Sequence, residues 1–179
     1  MSGGRRSRRA WGWHRLTDEW AALVVADAGV RPGELVLDIG AGQGALTRPL
    51  LRAGARVVAV EPHAGRAACL RRDCPSGVTV VETDATALRL PGRPFRVVAS
   101  PPYAISGALL RLLLAPESHL VAADLILQRA VVRRYAAGSA PGARRWRRRW
   151  DLSPGRPIPR HAFRPPPRVD SAVLVVRRR

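Results

Sequence analysis

Three of the chain's thirteen acidic residues stand where they could do chemistry. Asp38 precedes a glycine-rich run, Gly40-Ala41-Gly42-Gln43-Gly44. Glycines there permit positive φ and let backbone N–H groups approach a ligand closely. Glu61, followed by Pro62, is a carboxylate that can accept both hydroxyls of a ribose. Asp84-Ala85 offers a carboxylate to an adenine amino group. A fourth group, Ser100-Pro101-Pro102-Tyr103, suits another task. The exocyclic amine of a base is a poor nucleophile because its lone pair is delocalised into the ring. A side-chain oxygen and a backbone carbonyl that accept its two hydrogens localise that pair. Prolines fix the carbonyls and delete competing donors, and Tyr103 can stack on the base. Group transfer to such an amine then needs positioning more than a strong base. Each motif also has a plain reading: a structural turn for the glycines, an ordinary Pro-Pro turn for residues 101–102.

The elements that must position these groups follow from the apolar pattern. Residues 16–28 read as a helix started by Thr17 or Asp18. Short apolar runs at 34–39, 56–60, 78–81, 95–99 and about 120–127 read as buried strands. Helical stretches at about 44–53, 64–72, 104–114 and 128–137 alternate with them. Residues 138–149 read as a Gly/Pro/Arg-rich linker. Two β-rich pieces, about 150–153 and 171–176, flank a proline-dense stretch. This alternation predicts an α/β fold with a mostly parallel sheet. It also puts Asp38, Glu61, Asp84 and Ser100 at successive strand ends, where open α/β sheets bind ligands. The spacing G-x-G-x-G is not the G-x-G-x-x-G of a dinucleotide fold, which disfavours a nicotinamide oxidoreductase.

Charge narrows the class of partner. All 31 basic residues are arginine, giving a net charge of +18. The absence of lysine excludes Schiff-base and P-loop lysine chemistry. Residues 1–15 and 129–149 carry thirteen arginines and no acid. Such a field favours a polyanion, because each neutralised phosphate releases counterions. Candidate contacts to such a polyanion are Arg5, Arg6, Arg8 and Arg9 in a basic arm. Arg129, Arg133 and Arg134 on the 128–137 helix and the run Arg144, Arg145, Trp146, Arg147, Arg148, Arg149 and Trp150 complete the set. In that run, guanidinium groups suit phosphates and indole faces suit unstacked bases. A solvated charged face is the alternative for each segment. No apolar run reaches the ~18 residues of a membrane span, and no secretory signal is evident. Cys69 and Cys74 are too few for a disulfide framework. With the histidines showing no ligand spacing, no metal and no membrane partner are expected. A cytoplasmic setting and a monomer are the working expectations.

Taken together, LVLDIGAGQGALT (35–47), VVAVEPH (57–63), VVASPPYAIS (97–106), ADLILQRAVVRR (123–134) and FRPPPRVDSAVLVV (163–176) carry a family resemblance. The chain resembles the Erm rRNA adenine methyltransferases, kin of the KsgA-type dimethyladenosine transferases. Pro101 leans toward Erm, because the KsgA relatives usually have Leu there. The resemblance implies a Rossmann-like, seven-stranded S-adenosylmethionine-dependent methyltransferase fold with an antiparallel last strand. It implies N6 methylation of one adenine in 23S rRNA, naked or in an assembling large-subunit particle. Resistance to macrolides, lincosamides and type B streptogramins follows. By residue, it assigns Asp38, Gly40, Ala41, Gly42, Gly44, Glu61, Pro62, Asp84 and Ala85 to the cofactor. Ser100 to Tyr103 would hold the target amine, with Ser100 also touching the cofactor. Phe163 would cover the base opposite Tyr103, or else serve as a core anchor.

Three departures qualify the match. The family usually has Asn where Ser100 stands, and serine has a shorter reach. Its opening Gly-Gln-Asn-Phe-Leu-like segment is Gly12-Trp13-His14-Arg15-Leu16 here. His14 and Leu16 thus inherit contacts at the cofactor's methionine end, with a surface histidine as the alternative. Most members continue into a small helical RNA-binding domain. The expectation here is residues 1–28 as arm and helix and 29–179 as one catalytic domain, 138–149 as linker, and no separate C-terminal domain. Methylation of another RNA or of DNA, and a non-catalytic RNA-binding module, stay open as alternatives.

Overall fold

Alternation along each strand divides the interior between the two faces of one sheet. The computed structural model describes residues 14–74 and 76–179. Seven strands run in the order β4-β3-β2-β5-β6-β9-β7. They are β2 (Leu35–Ile39), β3 (Arg56–Val60), β4 (Val78–Val81), β5 (Phe95–Ala99), β6 (Leu120–Gln128), β7 (Trp150–Ile158) and β9 (Ser171–Arg178). Strands β2 to β6 pair in parallel, and β9 is antiparallel to both β6 and β7. Leu37, Ile39, Val97, Ala99, Leu174 and Val176 pack into one core. Their neighbours Val36, Val98 and Val173 pack into the other. This period of two, with both faces covered, is what a buried parallel sheet requires.

Helices α1 (Asp18–Ala28) and α2 (Thr47–Arg52) supply Val24, Val25 and Leu50 to one face. Helices α4 (Ser106–Leu113) and α5 (Arg129–Ala137) supply Leu109, Leu110, Leu113, Val132 and Tyr135 to the other. Helix α3 (Ala64–Asp73) buries Ala67 and Leu70. Thr17 occupies the N-cap position of α1, but its hydroxyl makes no capping bond.

Several boundaries differ from the sequence reading. Helix α2 starts at Thr47, not near 44, because the positive φ angles of Gly42 and Gly44 keep that stretch a turn. A 3-10 turn at Tyr103–Ile105 precedes α4. The 138–149 linker contains a one-turn helix, α6 (Ala143–Trp146). Strand β7 continues through Pro154 and Pro157, with a register shift between them. An edge strand tolerates this, since only one side must keep its ladder. A two-residue ribbon was not foreseen: β1 (Arg15–Leu16) pairs with β8 (Phe163–Arg164). It docks the N-terminal segment beside the carboxyl ends of the parallel strands.

The run at 144–150 needs correcting. Trp146 and Trp150 are 6% and 2% exposed. Trp146 stacks on Tyr135 with ring centroids 5.6 Å apart, and the Arg178 guanidinium lies over the Trp150 ring. Both indoles are core groups, so neither offers a face to a base. The intervening arginines are exposed. The four arginines proposed for the arm, Arg5, Arg6, Arg8 and Arg9, lie outside the described residues.

Candidate active site

The glycine-rich turn leaves β2 and is tied to the end of β3. Gly40 and Ala41 donate their N–H groups to the carbonyl of Val60, at 2.8 and 3.0 Å. Gly40 has φ +79°, and a Cβ there would stand 3.3 Å from Pro101 Cα and from Pro102 Cδ. The glycine turn and the Ser-Pro-Pro-Tyr loop therefore lie close together, and a side chain at Gly40 would crowd them. Gly44 plays a different part from the one expected. It does not line the cavity, and a Cβ there would meet Leu70 Cδ2 at 2.9 Å. Its absent side chain serves helix–turn packing.

A cavity of about 430 Å³ opens at these strand ends. It brings together His14, Leu16, Asp38, Gly40, Ala41, Gly42, Glu61, Pro62, Asp84, Ala85, Ser100 to Tyr103 and Phe163. All were singled out in the sequence. Arg66, Leu46 and Ile105 also line it and were missed. Only Arg66, in the first turn after Glu61, carried a readable signal, the spacing of a charge partner.

Each acid is held differently. Glu61 is buried and accepts from Gly42 N at 2.8 Å, His63 N at 3.0 Å and Arg66 Nη1 at 3.3 Å. It tethers the glycine turn while facing the cavity. Two carboxylate oxygens carry about four lone-pair sites, so capacity remains for a ligand hydroxyl. Asp84 accepts from the backbone N–H and the hydroxyl of Thr86. These bonds hold its carboxyl below the usual range and keep it ionised. Asp38 accepts from Thr47 Oγ1 at 2.6 Å, yet burial, with Glu61 nearby, pushes its pKa up to about 7.

That shift has a sign that can be tested. An unfolded aspartate titrates near ~4, so the folded chain holds this proton over a wider range. The stabilisation is full below about pH 4 and is lost as pH rises through about 7. Thermal unfolding without ligand should therefore show Tm falling from pH 5 to 8. Asp38→Asn should flatten that fall, and an unchanged slope would refute the assignment.

The aromatic wall is built from three elements. Phe163 is 1% exposed and packs into the core, and it also lines the cavity. His14 lies 6.4 Å from Tyr103 and 6.5 Å from Phe163, centroid to centroid. Its Nδ1 is 2.8 Å from the Pro165 carbonyl and donates to it. His14 is thus an aromatic neighbour of the Ser-Pro-Pro-Tyr loop as well as a cavity residue.

The arginines divide by position. Arg129 and Arg133 share a surface cleft with Arg160 and Arg168. Arg129 N donates to the Asp170 carbonyl, and the two side chains pair at 3.5 Å. Asp170 adjoins Ser171, which pairs with Gln128 at the end of β6. This cleft is on the cavity side. Arg160 and Arg168 were missed because each stands alone among prolines. The 144–149 arginines are at the other end of the sheet, next to Trp150 and Arg178. Arg149 Nη1 there reaches the Pro116 carbonyl, and Arg147 Nη2 that of Ala136. Strand β6 spans nine residues between the two ends, about 26 Å at ~3.3 Å per step. Arg134 is exposed on α5.

A model of the family described as ribosomal RNA adenine dimethylase matches residues 5–179. The chain belongs to that family. Among curated relatives of the chain is ribosomal RNA small subunit methyltransferase A of Anaeromyxobacter dehalogenans (strain 2CP-C). It is 36% identical over 191 residues, covering 94% of this chain. The chain spans 66% of that relative's length. The rRNA adenine N-6-methyltransferase of Corynebacterium diphtheriae is 34% identical over 181 residues, covering 99% of this chain and 71% of the relative. Among solved structures, 23S rRNA methyltransferase ErmE superposes with a TM-score of 0.82 at 28% identity. That match covers 90% of this chain and 68% of ErmE. The dimethylase-family fold is thus Rossmann-like, with the antiparallel strand expected. Among the described residues, no helix is long and apolar enough to cross a membrane. No group of three or more His, Cys, Asp or Glu there could hold a metal ion.

Proposed function

We propose that the chain methylates the 6-amino group of an adenine in ribosomal RNA, using S-adenosylmethionine. The contact of Gly40 with Pro101 and Pro102 carries this reading, because it joins a nucleoside-binding turn to an amine-holding loop. The residues fit the cofactor. The turn has the positive φ that favours glycine, Glu61 and Asp84 offer acceptors to ribose and adenine, and Asp38 offers a buried carboxyl to a cation. His14 and Leu16 stand at the same cavity's ribbon side. Bound there, S-adenosylmethionine supplies a methyl group activated by its sulfonium.

The chain's own contribution is placement. The Ser100 side chain and a loop carbonyl accept the two amine hydrogens and turn the nitrogen lone pair toward the methyl carbon. The new N–C bond forms as the C–S bond breaks, and the amine proton leaves to solvent. Tyr103 and Phe163 hold a base taken from its stack, at a cost of a few kcal/mol. A single-stranded or looped adenine lowers that cost.

The 23S adenine of the peptidyl-transferase region is the proposed target, with macrolide, lincosamide and streptogramin B resistance as its consequence. Pro101 and the ErmE likeness support it. The small-subunit relatives at 36% identity favour a 16S adenine as the second reading. Labelled S-adenosylmethionine with unmodified 16S and 23S rRNA, followed by primer extension, separates them. Label at one 23S adenine is expected. Label in 16S alone replaces the target, and no label in either replaces the enzymatic reading with a binding module. In that last case Ser100→Asn should create activity.

The arginine cleft supplies a further expectation. Neutralising Arg129 and Arg133 to Gln should weaken a looped RNA and shrink its log K against log salt slope by about 1.4, ~0.7 per lost phosphate on a single strand. Anisotropy titrations across salt measure this, and an unchanged slope would remove the pair from the interface. Arg134, Arg144, Arg145, Arg147, Arg148 and Arg149 are proposed as auxiliary phosphate contacts, most of them distant from the reacting base.

A further inference from the structure

Tyr103 and Ser171 are 68 residues apart and meet through one hydrogen bond, Oη to Oγ, at 2.5 Å. Ser171 opens β9 and is flanked on both sides, by Gln128 of β6 and Ile158 of β7. It is 1% exposed, so its hydroxyl sits beyond the reach of competing water. Tyr103 is half-buried and starts a 3-10 turn directly after two prolines. A ring on such a turn swings about its Cα–Cβ bond unless its far end is held. We propose that Ser171 is a positioning residue that fixes the tip of the Tyr103 ring, and so where the ring lies, for stacking on the target base. This inference rests on the base-holding role given to Tyr103 above.

The bond carries the stiffness of three paired strands into the loop that grips the amine. Burial raises the Tyr103 phenol, so it stays protonated at neutral pH and keeps its hydrogen available to Ser171. Ser171 itself touches neither substrate nor cofactor in this arrangement. It is absent from the residues lining the cavity and acts only through Tyr103. Ser106 Oγ, donating to the Tyr103 carbonyl at 2.8 Å, fixes the backbone of the same residue. Backbone and ring tip are thus secured separately.

Ser171→Ala and Tyr103→Phe delete the bond from opposite sides. A single hydrogen bond of this kind predicts a loss in kcat between about twofold and tenfold. Affinity for S-adenosylmethionine should stay unchanged in both variants. Because both remove one interaction, the double variant should be no slower than the slower single variant. Full kcat in Ser171→Ala, or losses that multiply in the double variant, overturns the proposal. Should Ser171→Ala fold poorly, Tyr103→Phe alone still has to show the loss in kcat at unchanged cofactor affinity.

A second readout needs no turnover. The chain has two tyrosines, Tyr103 and Tyr135, so 3-fluorotyrosine labelling gives a readable fluorine NMR spectrum. A ring tip held at one place keeps its fluorine in one set of surroundings. Ser171→Ala should broaden the Tyr103 signal and leave the Tyr135 signal in place. A Tyr103 signal unchanged in position and width in the variant overturns the inference. If the unaltered protein labels neither 16S nor 23S rRNA, the proposed function fails while these spectra still decide the contact.

Discussion

Tyr103→Ala is expected to lower methyl transfer about a hundredfold while the protein still binds S-adenosylmethionine. Stacking of one base on one aromatic face is worth roughly 1–3 kcal/mol, and 1.4 kcal/mol is a factor of ten. Loss of the ring alone therefore spans roughly 5- to 150-fold. Placement adds to it, because a reacting nitrogen displaced by about 1 Å can itself cost about a hundredfold. Stability should fall as well. The buried Ser171 hydroxyl loses its partner, and an orphaned polar group of this kind costs about 1–3 kcal/mol. The informative comparison is between rate and cofactor affinity. Single-turnover rates on rRNA should collapse while calorimetric cofactor binding stays within a few-fold. Undiminished turnover would remove Tyr103 from the reaction.

Glu61→Ala should do the reverse and take away the cofactor. Its carboxylate accepts from the N–H groups of Gly42 and His63 and pairs with Arg66. Alanine leaves the buried Gly42 N–H without this acceptor, at about 1–3 kcal/mol, and removes a partner from the His63 N–H. The glycine turn keeps its bonds to Val60 but loses the one at Gly42, at the point where a ligand should sit. A drop of at least a hundredfold in S-adenosylmethionine affinity is expected, together with a lower Tm. Glu61→Gln separates the two causes. It keeps one acceptor oxygen and the shape but loses the charge-assisted bonds. Tm should recover most of the way, while affinity stays well below that of the unaltered protein. Cofactor affinity retained in Glu61→Ala would reassign the residue to folding alone.

The sequence exposed the parts of this architecture that repeat locally. Runs such as Val57 to Val60 and Val97 to Ala99 are long enough to show a buried strand. Asp38, Glu61, Asp84 and Ser100 could be placed once those strands were placed. What stayed hidden depends on distant partners. The β1–β8 ribbon is two residues long on each side, too short for any period to show. Asp124 looks like an error inside an apolar run, yet its carboxylate is satisfied by Arg177 from β9 at 2.9 and 3.0 Å. Trp146 and Trp150, set among arginines, look like a binding surface. Their burial depends on Tyr135, one helix away, and on strand β9. Ser171 carries no signal of its own, because only the fold brings it to Tyr103.

The prolines of β7 bear on a hazard outside catalysis. A strand at the margin of a sheet is a template on which another chain can add itself, and long flat margins invite aggregation. Pro154 and Pro157 take two donors out of that margin, and the irregularity between them breaks its flatness. Arg156, inside the irregularity, is held by both oxygens of Asp27 on α1, which ties the margin down to the layer beneath. A chain with +18 net charge also repels its own copies. Replacing both prolines with valine, a good strand former, would restore the missing donors and convert a self-limiting edge into an adhesive one.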